Sequence, residues 1–184
     1  MRERQRFHDL ILWRTRSKHI NNIDMKTNEL DSAIVLFYAA WRALTAGRDE
    51  VLGRIGLGQV HHRILFVLRR VPGMRVGELA QSLGISRQAL HRPLSELREQ
   101  ALVVAQTAAH SGREVLLTIS ASGAELEALA TESQRAQLQQ ALSDSDATAR
   151  AGWVTIMRAI AQGAPLTLPD RAAQWLRHTD DEQS

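Results

Sequence analysis

The 184-residue chain is 44% hydrophobic, enough for the core of one domain with short appendages. It has no cysteine, which excludes disulfides, thiolate zinc sites, iron–sulfur clusters and cysteine-based peroxide sensing. No apolar run approaches the roughly 18 residues that a membrane span needs, so a cytoplasmic protein with no membrane partner is expected. The net charge of +3 is unevenly spread: seven basic residues face three acidic ones over 1–26, three face four over 27–58, eight face four over 59–119, and five face nine over 120–184. A basic module between acidic segments suits a protein that offers one face to a polyanion.

Residues 1–26 alternate Arg2, Arg4, Arg6, Arg14, Arg16 and Lys18 with the apolar cluster Leu10, Ile11, Leu12 and Trp13. The cluster is too short for a secretory signal. Two readings stand: a basic arm that touches DNA or a membrane surface, or a gene-model extension ahead of a true start at Met25. The spacing of Leu30, Ala33, Ile34, Phe37, Trp41 and Leu44 then predicts a helix to Ala46, with Asp31 or Asn28 as cap and Gly47 as stop. Gly47, Gly53, Gly56 and Gly58 predict a partly irregular connection. Val60, Ile64, Leu65 and Leu68 make a second helix, ended by Pro72 and Gly73. Its His61 and His62 diverge by about 100°, so they cannot chelate one metal together without an outside ligand, and no metal or other cofactor is expected.

The stretch from Arg75 to Gln100 is the centre of the chain. Val76, Leu79, Ala80 and Leu83 form one apolar stripe, Gly84 closes that helix in a left-handed conformation, and Ser86 caps the next. This is helix-turn-helix punctuation. On the second helix Ala89, Leu90, Pro93, Leu94 and Leu97 fall on one side, and Gln88, His91, Arg92 and Ser95 on the other with Arg87 flanking. Those polar groups can bond base edges in a major groove or pair with phosphates, although any amphipathic helix has a solvated side. Leu102–Gln106 and Glu114–Ile119, around a turn with Ser111 and Gly112, predict a β-hairpin whose Arg113 is placed to reach a minor groove or phosphate.

Ser120 caps a long helix to about Leu142, with Leu126, Leu129, Leu138 and Leu142 as its leucines. Ser143 and Asp146 resemble a capping box for a last helix striped by Trp153, Val154, Met157 and Ile160 and stopped by Gly163. The two helices suit self-association or packing within one subunit. Residues 164–184 read as a tail with one short helix over 170–177.

The order helix, helix, helix-turn-helix, winged hairpin, long helix, last helix resembles the MarR (multiple antibiotic resistance regulator) family over about residues 28–162. The motifs that carry the likeness are Gly56 to Gly58, Pro72-Gly73, Val76-Gly77-Glu78-Leu79-Ala80 and Ser86-Arg87. The resemblance implies a mainly α fold with a small β-hairpin, a winged helix-turn-helix plus dimerisation helices. It places the family-like domain at 27–163, the DNA-binding lobe at 59–119, and dimerisation helices at 27–46 and 120–163.

By the same resemblance, a homodimeric transcription regulator, in the repressor sense, binds double-stranded DNA at a near-palindromic operator and is released by a small, often aromatic, effector. Arg87, Gln88, His91, Arg92 and Ser95 become base or phosphate readers, with Arg113 the wing contact. Leu30, Phe37, Trp153, Met157 and Ile160 become interface residues. The family wing carries Asp-x-Arg, whereas here Ser111 stands at the aspartate, so the bracing ion pair is absent and a winged-helix protein-interaction module is the alternative. Pro93 replaces an aliphatic residue inside the recognition helix, and a bend costing about 3 kcal/mol is expected there. An enzyme is not expected, because cysteine nucleophile, phosphate-cradling glycine loop and metal cluster are all lacking.

Overall fold

The computed structural model describes residues 27–107 and 115–162. In chain order these form α1 (Thr27–Gly53), α2 (Gln59–Arg70), β1 (Met74–Arg75), α3 (Val76–Leu83), α4 (Arg87–Glu99), β2 (Val103–Thr107), β3 (Val115–Ile119), α5 (Ala121–Ser143) and α6 (Ala147–Gln162). The architecture is mainly helical with a small antiparallel sheet, as expected from the sequence. The expectations for the basic leader, the wing tip with Ser111 and Arg113, and the tail lie outside the described residues.

The sheet has three strands in the order β1-β3-β2, one more than the hairpin legible from the sequence. The additional strand follows the Pro72-Gly73 turn, where Gly73 takes φ +76° and its N–H donates to the Leu117 carbonyl at 3.0 Å. Met74 and Arg75 then pair with Leu117 and Leu116, while β2 pairs with β3 from Val103 opposite Ile119 to Thr107 opposite Val115. Two residues show no alternation, so only the partner strand defines β1.

The chain divides into two units, residues 1–41 and 42–184. Of the first, α1 up to Trp41 is described. Its side chains are exposed, Leu30, Ile34, Phe37, Tyr38 and Trp41 among them, and the Phe37 and Tyr38 rings meet edge to face at 6.4 Å. The second unit holds the core: Leu52, Ile64, Leu65, Leu68, Leu79, Leu90, Leu97 and Leu117 are essentially inaccessible to solvent. Burying each leucine or isoleucine is worth about 1.5 to 3 kcal/mol, which welds α2, α3, α4 and the sheet together.

Several boundaries correct the sequence reading. The first helix does not stop at Gly47 but runs on to Gly53, and it begins upstream of both proposed caps. Gly47 serves packing: a Cβ there would lie 2.4 Å from the Ser133 hydroxyl of α5. Leu52, one of the buried core residues, holds the extra turns down. Val60, read as part of the α2 stripe, is exposed. On α5 the buried residues are Gly123, Glu127, Ala130 and Thr131, whereas Leu129 is exposed. Small residues let this helix approach its neighbours closely, and a Cβ at Gly123 would sit 2.2 Å from the Leu102 carbonyl oxygen. The last helix is capped by Asp146 alone, whose Oδ1 accepts the Ala149 N–H at 2.7 Å, and the Ser143 hydroxyl instead donates to the Gln140 carbonyl.

Candidate nucleic-acid interface

The helix-turn-helix is built as its punctuation predicts. Gly84 closes α3 at φ +65°, the Ile85 N–H reaches the Ala80 carbonyl at 3.1 Å, and the Ser86 hydroxyl accepts the Ala89 N–H at 3.1 Å to start α4. Arg63 of α2 donates to the Leu83 carbonyl at 2.5 Å, tying the end of α3 to the core. Leu90, Leu94 and Leu97 anchor α4 from below. Pro93 does not break the helix, which continues through it to Glu99, because these leucines hold both halves. Ala89, expected among the core residues, is exposed: its short side chain leaves the edge of the stripe open to solvent.

Of the proposed readers, Arg87, Gln88, His91 and Arg92 are exposed together on α4. Ser95 departs from them, being half-buried beside Arg98, Glu99 and Val103 in the groove between α4 and β2. Arg87 folds back across α3, where its Nη2 would lie 2.6 Å from a Cβ at Gly77. Arg92 extends outward, and its Nε donates to Glu96 Oε1 at 2.8 Å one turn on. Glu96 Oε2 meets His61 Nε2 at 2.7 Å, and His61 Nδ1 accepts the Gly58 N–H at 3.0 Å. The acceptor role of Nδ1 puts the ring hydrogen on Nε2, so the imidazole donates to the carboxylate. Hydrogen bonds from Arg92 and then His61 hold the Glu96 carboxyl below the usual carboxylate range.

Between α2 and α5 lies a second polar set. Glu127 is 0% exposed, yet its Oε2 accepts from Arg69 Nη1 at 2.7 Å and its Oε1 from Arg70 Nη1 at 3.2 Å. The Thr131 hydroxyl also donates to Glu127 Oε1, at 3.0 Å, so Thr131 must accept from His62 Nε2 at 2.9 Å. Burial first, then the Arg48 charge, lowers the His62 imidazole from its ordinary 6.5 to about 4. The two adjacent histidines therefore serve different helices, His61 facing Glu96 of α4 and His62 facing Thr131 of α5. Among the described residues no three histidine, aspartate or glutamate side chains converge as a metal site would require.

Comparison with known proteins agrees with this geometry. The sequence model of the MarR family matches residues 55–114, which span the helix-turn-helix and the first strand of the hairpin. The HTH-type transcriptional regulator PetP of Rhodobacter capsulatus is 31% identical over 132 residues, covering 72% of this chain and 80% of the relative. The chain belongs to the MarR family. Among solved structures, the MarR family transcription regulator SP03579 superposes with a TM-score of 0.63 at 20% identity, over 74% of this chain and 90% of that one. The transcriptional repressor CouR, bound to a 23-mer DNA duplex, superposes with a TM-score of 0.57 at 21% identity, over 75% and 99%. These likenesses establish the winged-helix fold.

As a MarR family transcription regulator, the chain carries its buried polar contacts in places that sequence periodicity did not mark. Glu96 and Glu127 are not among the residues singled out from the sequence. The spacing of Arg92 and Glu96 by four is a legible pairing signal, and Glu96 could have been found from it. Glu127 offered no such signal, because its partners Arg69 and Arg70 lie nearly sixty residues away in the chain.

Proposed function

We propose that this MarR family member represses transcription as a homodimer on a near-palindromic operator, each α4 entering a major groove. The observation that carries the reading is the exposed cluster Arg87, Gln88, His91 and Arg92 on a helix fixed from beneath by Leu90, Leu94 and Leu97. Guanidinium, amide and imidazole groups on a rigid helix suit base-edge readout, while Ser95 is a lesser, partly covered reader. Arg113 of the wing is assigned to a phosphate or minor-groove contact on its sequence position. The DNA duplex bound by CouR supports DNA binding for a chain of the same fold.

Dimerisation is proposed from two apolar surfaces that a single subunit leaves open. On α1 these are Leu30 and Phe37; on α6 they are Trp153 and Ile160, with Met157 half-buried beside them. Apolar surface on this scale is ordinarily covered by a partner. Two rigidly held lobes would meet half-sites about one helical turn apart. A small aromatic effector, drawn from the family resemblance, would release DNA by changing how the lobes are held.

Selection of bound sequences from a random duplex library, followed by salt titration on the enriched sequence, tests the proposal. Enrichment of a near-palindrome is expected, with log K falling by about 0.9 per phosphate contact for each unit of log salt. No enrichment and a flat salt response would instead make the fold a protein-interaction module.

A further inference from the structure

We infer that Glu96, held by His61, is a positioning residue for Arg92 that sets the regulator's sequence discrimination at the expense of its general grip on DNA. The inference rests on the proposed role of Arg92 as a reader. Three features point to it. The Arg92 side chain is 89% exposed, and among the described residues its bond to Glu96 is what restrains its four rotatable torsions. That bond uses the Nε edge, which leaves the two Nη groups at the tip for the bidentate contact that arginine makes to guanine O6 and N7.

Glu96 is itself fixed. Its side chain is only a third exposed, and its second oxygen takes a charge-assisted hydrogen bond from His61, whose other nitrogen is engaged by the Gly58 backbone. An exposed ion pair on a helix would ordinarily form and break freely. Here one end is anchored through α2 to the glycine turn at Gly58, so the arginine is restrained by the core of the lobe.

A carboxylate next to the DNA-facing surface also repels phosphates. Without it Arg92 is free to swing to the nearest backbone phosphate, where it contributes affinity but reads no sequence. Removing Glu96 should therefore move two quantities in opposite directions. Loss of a merely structural residue would weaken both.

The test compares Glu96→Ala and Arg92→Ala, singly and together, with the native full-length chain. Affinities are measured for a duplex selected by the native protein and for a random duplex of equal length, across a salt series. Thermal melting confirms folding, and Glu96→Gln repeats the test with side-chain volume kept. Glu96→Ala is expected to bind the random duplex more tightly, with a salt slope steeper by about 0.9. Its preference for the selected duplex should fall about tenfold. In the Arg92→Ala background the same substitution should change the preference less than about twofold, because the residue through which it acts is gone.

Additive losses in the double variant, or parallel weakening on both duplexes, would overturn the positioning role while Arg92 remained a reader. If Arg92→Ala binds the selected duplex as tightly as the native chain, the reader assignment itself fails, and the positioning role with it.

Discussion

Replacing Glu127 by alanine should cost more stability than any other single change to a charged side chain of the unit that holds the core. Its carboxylate is wholly excluded from solvent and neutralises two guanidinium groups. Arg69, more than a third exposed, can rehydrate once its partner is gone, so its share is small. Arg70 cannot do so as readily: it is largely covered, lies against the Phe66 ring, and donates to the Phe66 carbonyl at 2.8 Å. The Thr131 hydroxyl also loses its acceptor, and with it the orientation in which it accepts from His62. Removing one partner of a buried pair typically costs about 3 to 5 kcal/mol, or roughly 6 to 20 °C in melting temperature for a chain of this size. Urea unfolding at pH 7, at two protein concentrations, measures the loss. The companion Glu127→Leu with Arg70→Met should recover most of it, since an apolar pair of similar volume avoids the desolvation cost. A Glu127→Ala loss below about 1 kcal/mol would show that water reaches this site and would refute the argument from burial.

Further outcomes follow from neighbouring contacts. His62 is held near 4 in the folded chain against an ordinary 6.5, so the unfolded state takes up the proton first as pH falls. Stability should be full above about pH 6.5 and decline toward pH 4, by about 2 kcal/mol between pH 7 and 5; His62→Gln should lack that part of the slope in urea midpoints at the two pH values. Gly123→Ala, which drives a Cβ to 2.2 Å from the Leu102 carbonyl oxygen, should destabilise by about 2 kcal/mol or more, read by thermal melting. Met157→Glu places a charge on the open α6 face beside Trp153 and should shift the chain toward monomer in sedimentation; a dimer with unchanged operator affinity would return that face to the single subunit.

What the sequence discloses is chemistry that closes within a few residues. Gly84, Ile85 and Ser86 form a turn whose hydrogen bonds stay within five residues, and the structure repeats them as read. Ser120 caps α5 through the Gly123 N–H for the same reason. Features decided by distant partners were hidden. Gly47 looks like a helix stop until Ser133 is seen against it. Met74 and Arg75 are a strand only because Leu116 and Leu117 lie opposite. On α5 the apolar residues that the sequence offers are its leucines, yet a glutamate and a threonine are among its buried residues, because polar partners from α2 meet them there. Periodicity reports which face is apolar, but it does not report a buried charge satisfied from elsewhere.

The divergence of two adjacent side chains on α2 has a consequence for how variants should behave. His61 contributes to the Glu96 and Arg92 chain, whose Arg92 end lies at the exposed face, where an ion pair adds little to folding. His62 contributes to the Thr131, Glu127, Arg69 and Arg70 set, where the partners are dry and each bond matters to stability. The sets share one helix but no hydrogen bond. Substitutions in the inner set should therefore lower melting temperature while leaving the ratio of selected to random DNA binding in the surviving folded fraction unchanged. Those in the outer set should alter the ratio at nearly constant melting temperature. A variant of His62 that changed discrimination as strongly as one of Glu96 would mean that the two sets are coupled through movement of α2 itself.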